Sequence, residues 1–153
     1  MKIICLILII FFIGCSQTVY EKESDYQREG PFKVIKTIDG DTADLNNSYR
    51  IRFSGINTPE KKKCYYKEAK DRLAELILNK DVYIEMDYTN IDKYNRYLRY
   101  VYVDDILVNG VMVREGYAKV FDKYKEDTRK YAELKKLEIY AIKNNLGVWN
   151  CSD

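Results

Sequence analysis

Histidine is absent from all 153 residues. Its absence excludes a Ser-His-Asp triad, a Cys-His dyad, an imidazole zinc site and any histidine acid or base. A large net charge is missing too: 26 Lys+Arg against 24 Asp+Glu leave only +2. That balance gives no ground for a bulk attraction to nucleic acid, and any basic surface must be local. No repeat, low-complexity tract or internal linker interrupts the chain. What is present is globular: 46% hydrophobic residues, with 15 tyrosines supplying most of the aromatic content. The length suits one domain with its own core.

The longest apolar run, from Ile3 to Ile13, follows a short basic start at Met1-Lys2. It is too short for a membrane helix, which needs roughly 20 residues, and suits the core of a secretory signal peptide over residues 1–14. The run ends at Phe12-Ile13-Gly14-Cys15, which resembles the lipobox of bacterial lipoproteins. That resemblance implies a lipidated Cys15 as the mature first residue; an ordinary signal peptide is the alternative. Residues 15–30 then read as a lipid anchor and polar tether. Localisation is expected to be the cell envelope, with the membrane engaged through the lipid, or else outside the cell. Cys64 and Cys151 remain as a pair in an oxidising setting. They are read as a disulfide, with two free thiols as the alternative, because sequence does not set their separation.

The domain occupies residues 31–153. Phe32 to Ile38 is rich in β-branched residues and ends at the Asp39-Gly40 turn signal. A second strand starts over Thr42 to Leu45, and Asn46-Asn47-Ser48 turns the chain into a third at Tyr49 to Phe53. There Tyr49, Ile51 and Phe53 alternate with Arg50 and Arg52, so both arginines share one face. Ala69, Leu73, Leu76 and Ile77 fall at helical spacing. Strands are predicted at Val82–Met86 and Tyr97–Val103, joined by a polar loop from Asp87 to Arg96. A short helix over Leu107–Glu115, capped by Gly116, and a last helix over about Glu126–Asn144 complete the pattern. Five strands with interspersed helices predict an α+β fold, for which a small Greek-key barrel is one solution.

Three segments carry chemistry. Ile38-Asp39-Gly40-Asp41-Thr42 sets two carboxylates around a glycine, an oxygen-rich turn suited to a hard cation, though Asp-Gly is also a plain hairpin signal. Arg52 and Glu60 bracket a strand end and a proline-fixed turn, Thr58-Pro59. Asp92-Lys93-Tyr94-Asn95-Arg96 is a charged loop. Singly, each suits a solvated surface.

In order and spacing these segments resemble the staphylococcal nuclease (thermonuclease) family over nearly all of residues 32–149. Supporting echoes are Val108-Asn109, Val113-Arg114-Glu115-Gly116-Tyr117-Ala118-Lys119-Val120, Glu138, Ala141 and Gly147-Val148-Trp149. The resemblance implies an OB-type five-stranded barrel with three helices. It also implies calcium-dependent hydrolysis of phosphodiester bonds in DNA and RNA, with 3′-phosphorylated products. By that resemblance Asp41 and the backbone carbonyl of Thr58 would be calcium ligands, with Asp39 a supporting acid. Glu60 would be the general base, Arg52 and Arg96 would grip the phosphate, and Tyr124 would line the nucleotide pocket. The chemistry agrees: a phosphodiester gains negative charge as water attacks, and forked guanidiniums and a cation answer it. A carboxylate can take the proton that histidine takes elsewhere.

Two positions depart from the family. Asn57 stands where a second calcium-binding aspartate is common; its amide oxygen can still coordinate, with one charge fewer. Asp122 stands where a tyrosine partners Tyr124, which predicts a negative charge near the nucleotide. Lys61-Lys62-Lys63 replaces a longer loop, and Lys62 and Lys63 are expected to meet substrate phosphates, a solvated turn being the alternative. The leading expectation is an exported, lipid-anchored nuclease. A catalytically silent nucleic-acid-binding barrel and an envelope scaffold are the alternatives.

Overall fold

A computed structural model describes residues 26–152. The signal peptide, Cys15 and most of the tether lie outside the described residues. Among the described residues, no helix is long and apolar enough to cross a membrane.

The chain runs β1 (Glu29–Thr37), β2 (Thr42–Leu45), β3 (Arg50–Phe53), β4 (Ile56–Asn57), α1 (Tyr66–Ile77), β5 (Asp81–Ile91) and β6 (Tyr97–Val103). It continues through β7 (Ile106–Leu107), α2 (Val108–Arg114), β8 (Lys119–Val120), a 3₁₀ segment (Asp122–Asp127), α3 (Tyr131–Lys143) and a 3₁₀ turn (Gly147–Asn150). The large sheet has the order β3-β2-β1-β5-β6-β7. A parallel pairing of β3 with β6, in register at Ile51–Tyr97 and Phe53–Arg99, closes five of these strands into a barrel. The fold is therefore α+β, a closed five-stranded mixed barrel with helices packed around it, as the sequence predicts. Three further short strands, β4, β7 and β8, were not in that expectation.

Alternation along each strand decides what faces inward. In β3, Ile51 and Phe53 are fully buried while Arg50 is exposed and Arg52 half-buried. Val34, Leu45, Val82, Ile84 and Val101 fill the same interior from the other barrel strands. Helix α1 turns Ala69, Leu73 and Ile77 inward on one stripe. Burial of such a branched side chain stabilises by about 1.5–3 kcal/mol. Asn109, solvent-free on α2, stitches three elements: Oδ1 accepts from Val101 N at 2.9 Å, and Nδ2 donates to the Ser54 and Arg99 carbonyls at 3.0 and 3.3 Å. A buried amide satisfied on both ends fixes a unique arrangement.

Helix α2 ends as predicted at Gly116, whose φ of +80° closes a Schellman cap: Tyr117 N donates to Met112 O and Gly116 N to Val113 O. The Gly116 carbonyl then accepts Val148 N at 2.8 Å. A Cβ on Gly147 would sit 2.1 Å from that carbonyl oxygen, so two glycines let the C-terminal turn clasp the end of α2.

Three boundaries differ from expectation, the first being β1, which starts at Glu29 and not at Phe32 because Glu29 pairs with Ile84 of β5. The last helix begins at Tyr131, not near Glu126, because Thr128 stops the 3₁₀ segment by donating Oγ1 to Tyr124 O at 2.9 Å. The expected loop from Asp87 is instead strand as far as Ile91, which pairs with Tyr97 across a tight turn. That turn is organised by Asp92 Oδ1, which accepts the N–H groups of Tyr94 and Arg96 at 2.9 and 3.0 Å.

Candidate active site

The turn into β2 is compact because Gly40 has no side chain: a Cβ there would lie 2.9 Å from Ala69 of α1 and from the Thr58 side chain. This close approach buries Asp41. Its Oδ2 accepts Thr58 N at 2.8 Å and Thr58 Oγ1 at 2.9 Å, and its Oδ1 accepts Thr42 Oγ1 at 3.2 Å. Asp39 lies beside it, accepting Asp41 N at 3.1 Å. Arg52, projecting outward from β3, brings Nη2 to 3.1 Å from Asp41 Oδ2 and donates the same nitrogen to Asn57 Oδ1 at 3.1 Å. Its Nη1 donates to Phe53 O at 2.6 Å.

Burial pushes the Asp41 carboxyl above its ordinary range; Arg52 opposes that rise and the Asp39 charge adds to it. Burial likewise lowers Arg52, Asp41 opposes this, and the positive charge of Arg96 adds to the fall. Arg96 is held by Asp92, with Nε and Nη2 at 2.8 and 2.7 Å from Asp92 Oδ2. Two cations are thus each fixed by a carboxylate of its own.

Arg52 and Arg96 open into one cavity of about 460 Å³, whose wall includes Asn57, Tyr94 and Tyr124. Asn57 also lines a second hollow of about 220 Å³, in which Glu60 and Lys63 stand. Glu60 is exposed, two residues along the chain from the buried Thr58 that bonds Asp41. Lys62 lines neither hollow and adopts a φ of +73° in the turn before α1. Cys64 and Cys151 are joined as a disulfide with Cα atoms 6.2 Å apart, and both border the second hollow.

A bound calcium ion would need an oxygen cage. Among the described residues no group of three or more Asp, Glu, Cys or His side chains is placed to hold a metal. The available donors are the Asp41 carboxylate, the Asn57 amide oxygen and the Thr58 carbonyl, with Asp39 close behind. All are oxygens, as a hard cation requires, and their low total charge suits a weak site. Asp41 and Asn57 already converge on one cation, the Arg52 guanidinium.

Several residues at this site escape a reading of sequence. Phe121 and Lys123 line the large cavity, beside Lys93 and Tyr94 of the charged loop already singled out. The Phe121 and Tyr124 rings meet edge to face at 5.5 Å. Their signal was an interleaving of basic and aromatic residues from Lys119 to Tyr124. Asp122, expected to bring negative charge toward the nucleotide, turns away instead. It accepts Tyr131 Oη at 2.7 Å and pairs with Lys135 Nζ at 3.2 Å, so its charge is answered by α3. The aromatic partner of Tyr124 is Phe121, the residue before Asp122.

Comparison with known proteins adds an independent line. The family described as staphylococcal nuclease homologue matches residues 50–151. An uncharacterized endonuclease of Escherichia coli is 34% identical over 125 residues, covering 79% of this chain and 78% of its own. The SPbeta prophage-derived endonuclease YokF of Bacillus subtilis (strain 168) is 34% identical over 125 residues, covering 75% of this chain and 42% of its own. The matched span carries Arg52, Asn57, Thr58, Glu60 and Arg96 on the closed barrel described above. The chain belongs to the staphylococcal nuclease family.

Proposed function

We propose that the protein is an exported nuclease that hydrolyses phosphodiester bonds of DNA and RNA to 3′-phosphorylated products, using calcium. The observation that carries this reading is the pair Arg52 and Arg96, each held by its own carboxylate and both opening into one aromatic-walled cavity. Neither a scaffold nor a packing role calls for two guanidiniums converging there.

In this reading a phosphate enters between Arg52 and Arg96, and their forked donors strengthen their hold as its oxygens gain charge. The base side of the nucleotide rests against Tyr124 and Phe121. Glu60 takes the proton of the attacking water. Asp41, the Asn57 amide and the Thr58 carbonyl would hold calcium, with Asp39 in support, and the ion would supply positive charge against the charge the phosphate gains. The disulfide and the apolar N-terminal run ending at Gly14-Cys15 support an oxidising, exported setting with lipid on Cys15.

The test uses single-stranded DNA and RNA with the purified protein. Cleavage is expected in calcium, lost in chelator, and reduced by orders of magnitude in Glu60→Gln and Arg96→Ala. Cleavage that survives chelator and both substitutions would overturn the mechanism. Binding without cleavage across divalent metals would favour a silent nucleic-acid-binding barrel. Incorporation of labelled palmitate, lost in Cys15→Ser, tests the anchor.

A further inference from the structure

The second hollow has a construction of its own. It lies on the far side of Asn57 from the arginine cavity, and the two hollows share that residue alone. Strand β8 pairs with β4 so that Lys119 stands directly opposite Asn57. Side chains of directly opposed residues share a face, with Cβ atoms about 4.5–5.5 Å apart. Lys119 therefore rises beside the site, where its Nζ lies 4.7 Å from the centre of the Trp149 ring. Lys63 supplies a second ammonium from the loop before α1. Neither lysine pairs with a carboxylate among the described residues. The floor is apolar and fixed: Val148, held by the glycine clasp, and the Cys64–Cys151 disulfide.

We propose that this hollow is a second polynucleotide subsite, which grips the sugar-phosphate backbone on the side of the scissile phosphate opposite the base cavity. The proposal rests on the nuclease reading and extends it to the polymer. The hollow has about half the volume of the first, 220 against 460 Å³, and its lining contains no aromatic ring. It is therefore suited to backbone and not to a stacked base. Its two lysines are point charges on flexible stems, a match for phosphates without a demand on sequence. Glu60 stands inside it, so a strand crossing Asn57 from one hollow to the other passes the carboxylate. Lys119 and Lys63 would then act on extended substrates and lend nothing to a substrate too short to reach them.

The test compares kcat/KM for a dinucleotide and a single-stranded hexanucleotide, in calcium, with the full chain. The wild type is expected to prefer the hexanucleotide, and Lys119→Glu with Lys63→Glu should lower that preference about tenfold or more. Lys119→Arg should retain it, as should the reversal Lys143→Glu on α3. An unchanged preference in the double variant would overturn the proposal, as would an equal loss in Lys143→Glu. Should the wild type cleave neither substrate, the nuclease reading fails separately, and binding decides the subsite. Fluorescence anisotropy of a labelled hexanucleotide should then show a salt dependence shallower by about 0.7 per lysine removed. An unchanged slope would overturn the subsite.

Discussion

Arg52 Nη2 lies 3.1 Å from Asp41 Oδ2, and both side chains are largely shielded from solvent. The same nitrogen reaches Asn57, so one guanidinium holds together the two oxygens offered to a cation. Arg52 is therefore an internal counter-charge, and under the proposed function it would also be the phosphate's ligand. Any ion entering between Asp41 and Asn57 competes with it, and Asn57 contributes no formal charge to favour the ion.

Asn57→Asp should shift that competition. The added carboxylate supplies the charge that governs affinity in oxygen-ligand sites, and half-maximal activity should come at about tenfold less calcium. A calcium titration of cleavage rate checks it; an unmoved midpoint would show that position 57 does not meet the ion.

Asp92→Asn should loosen Arg96. Burial works against the Asp92 carboxylate, but the Arg96 side chain and the N–H groups of Arg96 and Tyr94 outweigh it and hold its carboxyl below the usual 3.8. A depressed folded pKa means that the unfolded chain takes up the proton first as pH falls. The stability is present in full above 3.8 and disappears as pH drops through the lower folded value. Urea unfolding should find the wild type more stable than the variant near neutrality, with the gap closing below about pH 3.8. Activity should fall about tenfold as the guanidinium loses its orientation.

Phe121→Ala should weaken substrate binding. Stacking of a base on an aromatic ring is worth about 1–3 kcal/mol, so KM for single-stranded DNA should rise roughly fivefold to 150-fold. Asp122→Ala, by contrast, releases a carboxylate tied to Tyr131 and Lys135 and should change KM little. If Asp122→Ala lowered KM strongly, its charge would face the nucleotide after all.

Cys151→Ser should cost stability. The bridge spans a sequence separation of 87 residues, and closing so long a loop in the unfolded chain stabilises by about 2–5 kcal/mol. Thermal unfolding, with and without reductant, should show the wild type falling to the variant's midpoint on reduction. Reductant that leaves the wild type unmoved would refute the contribution.

Most of the barrel was legible because period-two alternation and Asp-Gly or Asn-Ser turns mark strands directly, as in Thr42–Leu45 and Arg50–Phe53. Helix α1 was legible through Ala69, Leu73 and Ile77. The boundary at Tyr131 was not, since Asp127 and Thr128 look like an ordinary helix start and only Tyr124 O shows what Thr128 caps. The extension of β5 to Ile91 was hidden because Asp87 and Asn90 lack strand propensity, and pairing with β6 overrides that. At the site, sequence offered Asp41, Arg52 and Arg96 through motif order. It could not offer Phe121 or Lys119, whose proximity depends on β4 and β8 meeting across more than sixty positions of chain.

The disulfide also sets an order of events. Asp41, Arg52, Glu60 and Arg96 are all translated before Val148 and Cys151, which wall the hollow around Glu60. A growing chain can therefore possess its charged groups while that wall is missing. The clasp between Gly116 and Val148 and the bridge to Cys64 form only once the downstream segment has emerged. For an enzyme that would attack nucleic acid, the groove is completed late, and in a reducing interior its covalent closure waits for an oxidant.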